Sequence, residues 1–219
     1  MSLDRRLLRL YLVTDRDLAG GRALPEVVGR AVRGGATAVQ LREKALGAAR
    51  FLEEVVELKR VLAGSGVPVF VNDRVDVALA GGADGVHVGQ DDLPAGACRQ
   101  LVGPRLLLGV SVATPEEARR AVAAGADYVS VSPVFLTPTK PDAQCAVGLE
   151  GIALIRSAVP EAPLLAIGGI DVRNARSVVA AGADGVAVVS AIMASPDPEA
   201  AAAALRAEVE AGLAQRRSP

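Results

Sequence analysis

Pro68-Val69-Phe70-Val71-Asn72-Asp73-Arg74 and, one helix-length interval later, Gly85-Val86-His87-Val88-Gly89-Gln90-Asp91-Asp92 are two apolar runs, each short enough for a buried strand. Both stop abruptly at carboxylates. The interval from Arg74 to Gly82 has room for one helix, so the stretch reads as a βα unit followed by its next strand. If the strands are parallel neighbours, Asp73 and Asp92 leave them on the same rim. Two carboxylates on one rim can hold a hard cation such as Mg2+, which in turn holds phosphate or diphosphate oxygens. The plainer reading, that Asn72, Asp73 and Asp92 merely cap the following helices, stands beside it.

Working outward, the joint that opens the second strand recurs. Gly34-Gly35-Ala36-Thr37, Gly81-Gly82-Ala83-Asp84, Ala124-Gly125-Ala126-Asp127 and Ala181-Gly182-Ala183-Asp184 each lead into an alternating apolar strand. In each, a helix ends on a glycine able to take positive φ, and a tight turn follows. The spacing leaves a further strand and helix between copies, so four joints imply eight strands. The odd ones are found at about 8–14, 68–73, 105–111 and 163–169. Helix starts are signalled by Thr114-Pro115-Glu116-Glu117, with the elements of a capping box, and by Asp197-Pro198-Glu199. The fold class is therefore α/β, a single (βα)8 TIM barrel spanning 1–219, with a polar tail at about 214–219.

Composition agrees with that reading. The chain has 219 residues, 51% of them apolar and 2% aromatic, which suits a core layered from Val, Leu, Ile and Ala. A net charge of -1, without a basic stripe and interleaved aromatics, argues against nucleic acid as a partner. The two cysteines, Cys98 and Cys145, show no CxxC or Cys/His spacing, which points to a reduced compartment and excludes a structural zinc site. The apolar stretch Leu10 to Val13 is followed at once by Thr14-Asp15-Arg16-Asp17 and reads as a strand, not a signal peptide. No apolar run approaches the roughly 18 residues that span a bilayer, so a cytoplasmic location is expected.

Chemistry in such a barrel gathers at the strand C-terminal ends. There the second strand delivers Gln40-Leu41-Arg42-Glu43-Lys44, in which Gln40, Arg42 and Lys44 share one face; the bland alternative is a pair of salt bridges through Glu43. The fifth delivers Ser111. The sixth is followed by Ser132 through Asp142 with no helix until about Gly148, a connection long enough to be a binding loop or lid. Of three lysines, 44, 59 and 140, two fall on this rim. Glycines 168 and 169 after the seventh strand, with a helix start after the eighth, make a main-chain N–H nest for a phosphate monoester. His87 reads as a residue filling a barrel layer, with a catalytic base as the alternative, and Phe135 and Tyr128 read as packing residues, with ring stacking as the alternative.

The ordered series Tyr11-Leu12-Val13-Thr14-Asp15, Gln40 to Lys44, Val71-Asn72-Asp73, His87 to Asp92, Thr137-Pro138-Thr139-Lys140 and Ile167-Gly168-Gly169-Ile170 resembles the thiamine phosphate synthase family. The resemblance runs from about Tyr11 to Ser190. It implies a transferase that joins hydroxymethylpyrimidine diphosphate to hydroxyethylthiazole phosphate with Mg2+ as cofactor. By the resemblance, Gln40, Leu41, Arg42, Glu43, Lys44, Asn72, Ser111 and Lys140 bind the pyrimidine diphosphate. Asp73 and Asp92 ligate the metal, while Thr137, Thr139, Gly169, Val189 and Ser190 hold the thiazole phosphate. Lys140, Arg42 and Ser111 would serve catalysis. Relatives point to a homo-oligomer; no membrane partner is implied. Gly47 stands where many relatives have Ser or Thr, which weakens a helix cap. A thiazole tautomerase-like sister barrel, a phosphosugar isomerase using only the glycine nest, and a non-catalytic thiazole phosphate-binding barrel are the alternatives.

Overall fold

The structure, a computed structural model, describes residues 3–137 and 145–217. Eight parallel strands, each hydrogen-bonded to the next in sequence, close into a barrel in which the first also pairs with the last. They are β1 (Leu10–Val13), β2 (Ala38–Leu41), β3 (Val69–Asn72), β4 (Gly85–Val88), β5 (Leu107–Val112), β6 (Tyr128–Val131), β7 (Leu164–Ile167) and β8 (Gly185–Val188). The helices around them are α1 (Leu24–Arg33), α2 (Ala48–Val61), α3 (Val75–Ala80), α4 (Ala95–Val102), α5 (Pro115–Ala123), α6 (Gly148–Ala158) and α7 (Ala175–Ala180). The short α8 (Ser190–Met193) and the long α9 (Pro198–Arg217) follow. α9 lies across α7 and α1 and completes the outer ring.

Alternation along each strand divides the core in two. Tyr11, Val13, Ala38, Phe70, Tyr128, Leu165 and Ala187 meet inside the barrel, whereas Leu10, Leu12, Val39, Leu41, Val69 and Val86 face the helices. The few aromatics are concentrated in the interior, where Tyr11, Phe70 and Tyr128 pack with ring centroids 5.3 to 6.2 Å apart. Two strand glycines make room for them. A Cβ at Gly85 would come 2.3 Å from Phe70 and one at Gly109 would come 2.1 Å from Tyr128.

The repeated joint has a physical explanation. Asp84, Asp127 and Asp184, each the residue just before an even strand, accept from the N–H of Val69, Leu108 and Leu164 in the odd strand beside them, at 2.8, 2.7 and 2.9 Å. Each also binds a base on the helix before that odd strand: Lys59 of α2 at 2.7 Å, Arg99 of α4 at 2.5 Å and Arg156 of α6 at 2.8 Å. Thr37 makes the uncharged version, accepting from Leu10 N at 3.0 Å. One side chain thus ties two strands at three of the joints to a helix as well.

Two boundaries depart from expectation. β1 begins at Leu10, because Arg5–Leu8 forms a 3₁₀ turn whose first N–H groups are capped by Asp4. The C-terminal stretch expected as a tail from about 214 is helical to Arg217. Thr114 caps α5 through Glu117 N at 3.2 Å, while the Glu117 carboxylate turns to Ala113 N at 2.7 Å; Asp197 caps α9 through Glu199 and Ala200. Gly47 precedes α2 with no side-chain cap.

Candidate functional site

A cavity of about 590 Å³ opens at the C-terminal ends of the strands. Gln40, Arg42 and Lys44 line it, as the strand alternation requires, together with Asn72, Asp73, Asp92, Ser111, Thr137, Gly169, Val189 and Ser190. Residues from β2 to β8 therefore meet in one mouth. Leu41 and Glu43 do not: Leu41 is buried against the helices, and Glu43 turns away to an ion pair with Arg16 at 3.0 Å. Their side chains do not line the cavity, because the alternation of β2 turns Leu41 outward and carries on past the strand end to Glu43. That Glu43 pairs with Arg16 leaves Arg42 and Lys44 directed to the cavity. Arg42 is steadied by its own N–H to Thr14 Oγ1 at 3.0 Å and by Asp15 at 3.8 Å. Thr139 and Lys140 lie outside the described residues.

Asp73 and Asp92 are neighbours on the cavity rim. Burial, then the Asp92 hydrogen bond and charge, push the Asp73 carboxyl up to about 7, against the pull of Arg42 and Lys44. Asp92 also accepts from Gly89 N at 2.7 Å. Asp73 has φ 61°, the single positive value for a non-glycine among the described residues. Holding a non-glycine residue there costs about 1–2 kcal/mol, least for Asp and Asn, a cost that recurs at ligand sites. Among the described residues no cluster of three or more His, Cys, Asp or Glu occurs, so a cation here would have two protein carboxylates and need further oxygens from elsewhere. Two neighbouring carboxylates with hard oxygen donors fit Mg2+, which keeps several waters and phosphate ligands.

Across the mouth, Gly168 and Gly169 turn with φ of 110° and 62°. A Cβ on Gly169 would lie 2.8 Å from Phe135 Cβ and 3.1 Å from Leu136 O, so the β7 turn and the segment after β6 fit only with glycine there. The N–H groups of Gly169, Ser190 and Ala191 donate to no partner among the described residues. All three residues line the cavity, the placement an anion nest requires.

Gln90 and Ser132, expected on the rim from the fourth strand and the loop after the sixth, line the wall, Gln90 donating to Ser111 O at 2.6 Å. Ser130 and Arg173, the latter on an ion pair with Asp171, are lining residues that the sequence did not single out. A basic residue soon after the glycine turn was the available signal for Arg173. His87 is buried, as expected of a packing residue, yet its ring nitrogens lie 2.9 Å from Tyr128 Oη and 2.9 Å from Ser111 Oγ.

The comparisons converge on one family. A thiamine-phosphate synthase from Roseiflexus is 53% identical over 94% of this chain and 87% of that protein. Another from Albidiferax ferrireducens is 53% identical over 96% of this chain and 97% of its own. The solved structure of a thiamine phosphate pyrophosphorylase from Pyrococcus furiosus superposes with a TM-score of 0.87 at 41% identity, covering 95% of this chain and 98% of that one. With the family model described as "Thiamine monophosphate synthase" matching residues 10–192, a span that takes in all eight strands and the whole cavity rim, the chain belongs to the thiamine monophosphate synthase family.

Proposed function

We propose that the chain is a transferase that joins 4-amino-2-methyl-5-hydroxymethylpyrimidine diphosphate to 4-methyl-5-(2-phosphoethyl)thiazole, giving thiamine phosphate and diphosphate. The observation that carries this reading is the pairing, in one cavity, of a carboxylate couple flanked by Arg42 and Lys44 with a separate main-chain nest at Gly169 and Ser190. One mouth thus has a place for a metal-bound diphosphate and another for a monophosphate. A phosphosugar isomerase would leave the carboxylate side without a use.

Asp73 and Asp92 would hold Mg2+, which when bound neutralises charge on the departing diphosphate. Arg42 and Lys44, with Lys140 by family resemblance, bind the same oxygens. The bond between the pyrimidine methylene carbon and the diphosphate oxygen breaks, with the electron pair leaving on diphosphate. The thiazole nitrogen then forms the new C–N bond with its own lone pair. The aminopyrimidine ring stabilises the cationic carbon, so no protein nucleophile is needed; the chain's part is to orient both rings and to balance charge. The nest, with Thr137, Thr139 and Val189, holds the thiazole phosphate. Leu41 and Glu43 would contribute only through their main chain.

Mixing the two phosphorylated substrates with and without Mg2+ tests the proposal. Diphosphate release that requires both substrates and stops in EDTA is expected; turnover unaffected by EDTA would point to a tautomerase-like activity. Gly169→Ala is expected to raise KM for the thiazole phosphate by about tenfold or more, with a smaller effect on KM for the pyrimidine diphosphate, because the added methyl displaces the Phe135–Leu136 backbone at the nest. Equal effects on both substrates would remove the nest from its assigned role.

A further inference from the structure

A row of hydrogen-bonded side chains crosses the barrel interior beneath the cavity. Gln40 Nε2 donates to Tyr11 Oη at 3.2 Å, the Tyr11 and Tyr128 hydroxyls lie 3.1 Å apart, Tyr128 Oη is 2.9 Å from His87 Nδ1, and His87 Nε2 is 2.9 Å from Ser111 Oγ. Gln40, Tyr11, His87 and Ser111 border the cavity, whereas Tyr128 is sealed beneath it. Burial pushes both phenols well above their ordinary pKa, so each carries its proton throughout the working range.

Counting protons gives the row a direction. The Gln40 amide nitrogen can only donate, so Tyr11 accepts there, and in the sense that continues this donation Tyr11 donates to Tyr128. Continued in that sense, Tyr128 donates to Nδ1 of His87. A histidine that accepts at Nδ1 while neutral carries its proton on Nε2, and that proton faces Ser111 Oγ. Ser111, accepting from below, has its own hydroxyl proton left for the cavity. The row run backwards would place the imidazole proton on Nδ1 and turn the Ser111 proton down into the barrel.

We propose that His87 is a positioning residue for the transfer: neutral and protonated on Nε2, it aims the Ser111 hydroxyl as a donor into the pyrimidine diphosphate site. The proposal rests on the function argued above for its kinetic consequence, but not for its structural content. Gln40 stands at the other end with its side-chain oxygen Oε1 unpartnered among the described residues. The row therefore presents an acceptor at one end and a donor at the other, a sense that suits a ring bearing both an amino group and ring nitrogens.

His87 is the one histidine in the chain, so imidazole ¹⁵N signals of the labelled, substrate-free protein report on it alone. The Nε2–H tautomer is expected at neutral pH; a dominant Nδ1–H tautomer or an imidazolium overturns the proposal. Tyr128→Phe, which keeps the ring but removes the donor to Nδ1, is expected to replace the single tautomer by a mixture. An unchanged tautomer in that variant also overturns it. Two half-replacements supply the kinetic readout. His87→Gln keeps a nitrogen near Nε2 to reach Ser111, and His87→Asn keeps only a group near Nδ1. The Gln variant is expected to retain kcat within a few-fold while the Asn variant loses about tenfold or more, roughly one hydrogen bond, with KM for the thiazole phosphate unchanged in both. Equal losses would make His87 a packing residue only. If the wild-type protein releases no diphosphate, the functional reading fails while the tautomer result stands.

Discussion

Asp92→Asn is expected to lower Mg2+-dependent turnover about a hundredfold and, in the metal-free protein, to raise the melting temperature. Both effects come from one pair of carboxyls. Burial, together with the neighbouring Asp92, lifts the Asp73 carboxyl to about 7. Asparagine keeps the acceptor for Gly89 N, 2.7 Å away, and its amide can donate to Asp73, so the fold loses no bond and sheds a repulsion. The sign with pH follows from linkage. A carboxyl whose folded pKa is raised contributes stability that is complete below the unfolded value of 3.8 and is lost as pH rises through about 7. Removing the neighbour should therefore stabilise most above pH 7 and little near pH 5. Melting curves in EDTA at pH 5 and pH 8, beside turnover in saturating Mg2+, check both halves. Wild-type turnover would remove Asp92 from the metal site, and an equal melting shift at both pH values would show that repulsion is not its source. Asp73 is a poorer place for the same test with alanine, since its φ of 61° tolerates Asp or Asn better than Ala.

The same contrast shows what a sequence can and cannot carry. Eight strands were legible because each helix of the repeat ends on a glycine and each strand alternates, and both are local properties. The inward set Gln40, Arg42 and Lys44 was legible for the same reason, and the same rule excludes the side chains of Leu41 and Glu43, which the family resemblance had swept in as one run. Start points were less secure. Leu8 continues the alternation of Leu10 and Leu12 in β1, yet a cap from Asp4 takes Arg5–Leu8 into a 3₁₀ turn. The row through the barrel was invisible, because a histidine between two valines carries no mark of its partners: Tyr128 is 41 positions away and Ser111 is 24. Arg16 as the partner of Glu43, and Thr14 as the acceptor for Arg42 N, are likewise contacts between segments that the pairing of β1 with β2 brings together.

The repeated aspartates give a second large effect, on stability and at the opposite end of the barrel from the cavity. Asp184, 3% exposed, accepts from Leu164 N at 2.9 Å and from three guanidiniums: Arg156 at 2.8 Å, Arg216 at 3.0 Å and Arg5 at 3.3 Å. Burial, with the charges of Arg5 and Arg216, holds Arg156 below its ordinary pKa even with Asp184 beside it, so three cations are crowded around one anion. Asp184→Ala would leave them facing each other with no counter-charge, besides an unmet N–H on β7. Breaking a buried ion pair from one side costs about 3–5 kcal/mol, and the expected loss falls in that range. The equivalent carboxylates are graded by exposure: Asp127, 21% exposed with one arginine, should cost less, and Asp84, 39% exposed with Lys59, least, about 1–2 kcal/mol. Urea unfolding of the three alanine variants, read at constant m, gives the order directly. Asp184→Ala costing no more than Asp84→Ala would show that burial does not set the strength of these joints. Turnover per folded molecule should be unchanged in all three, since none of the three carboxylates borders the cavity.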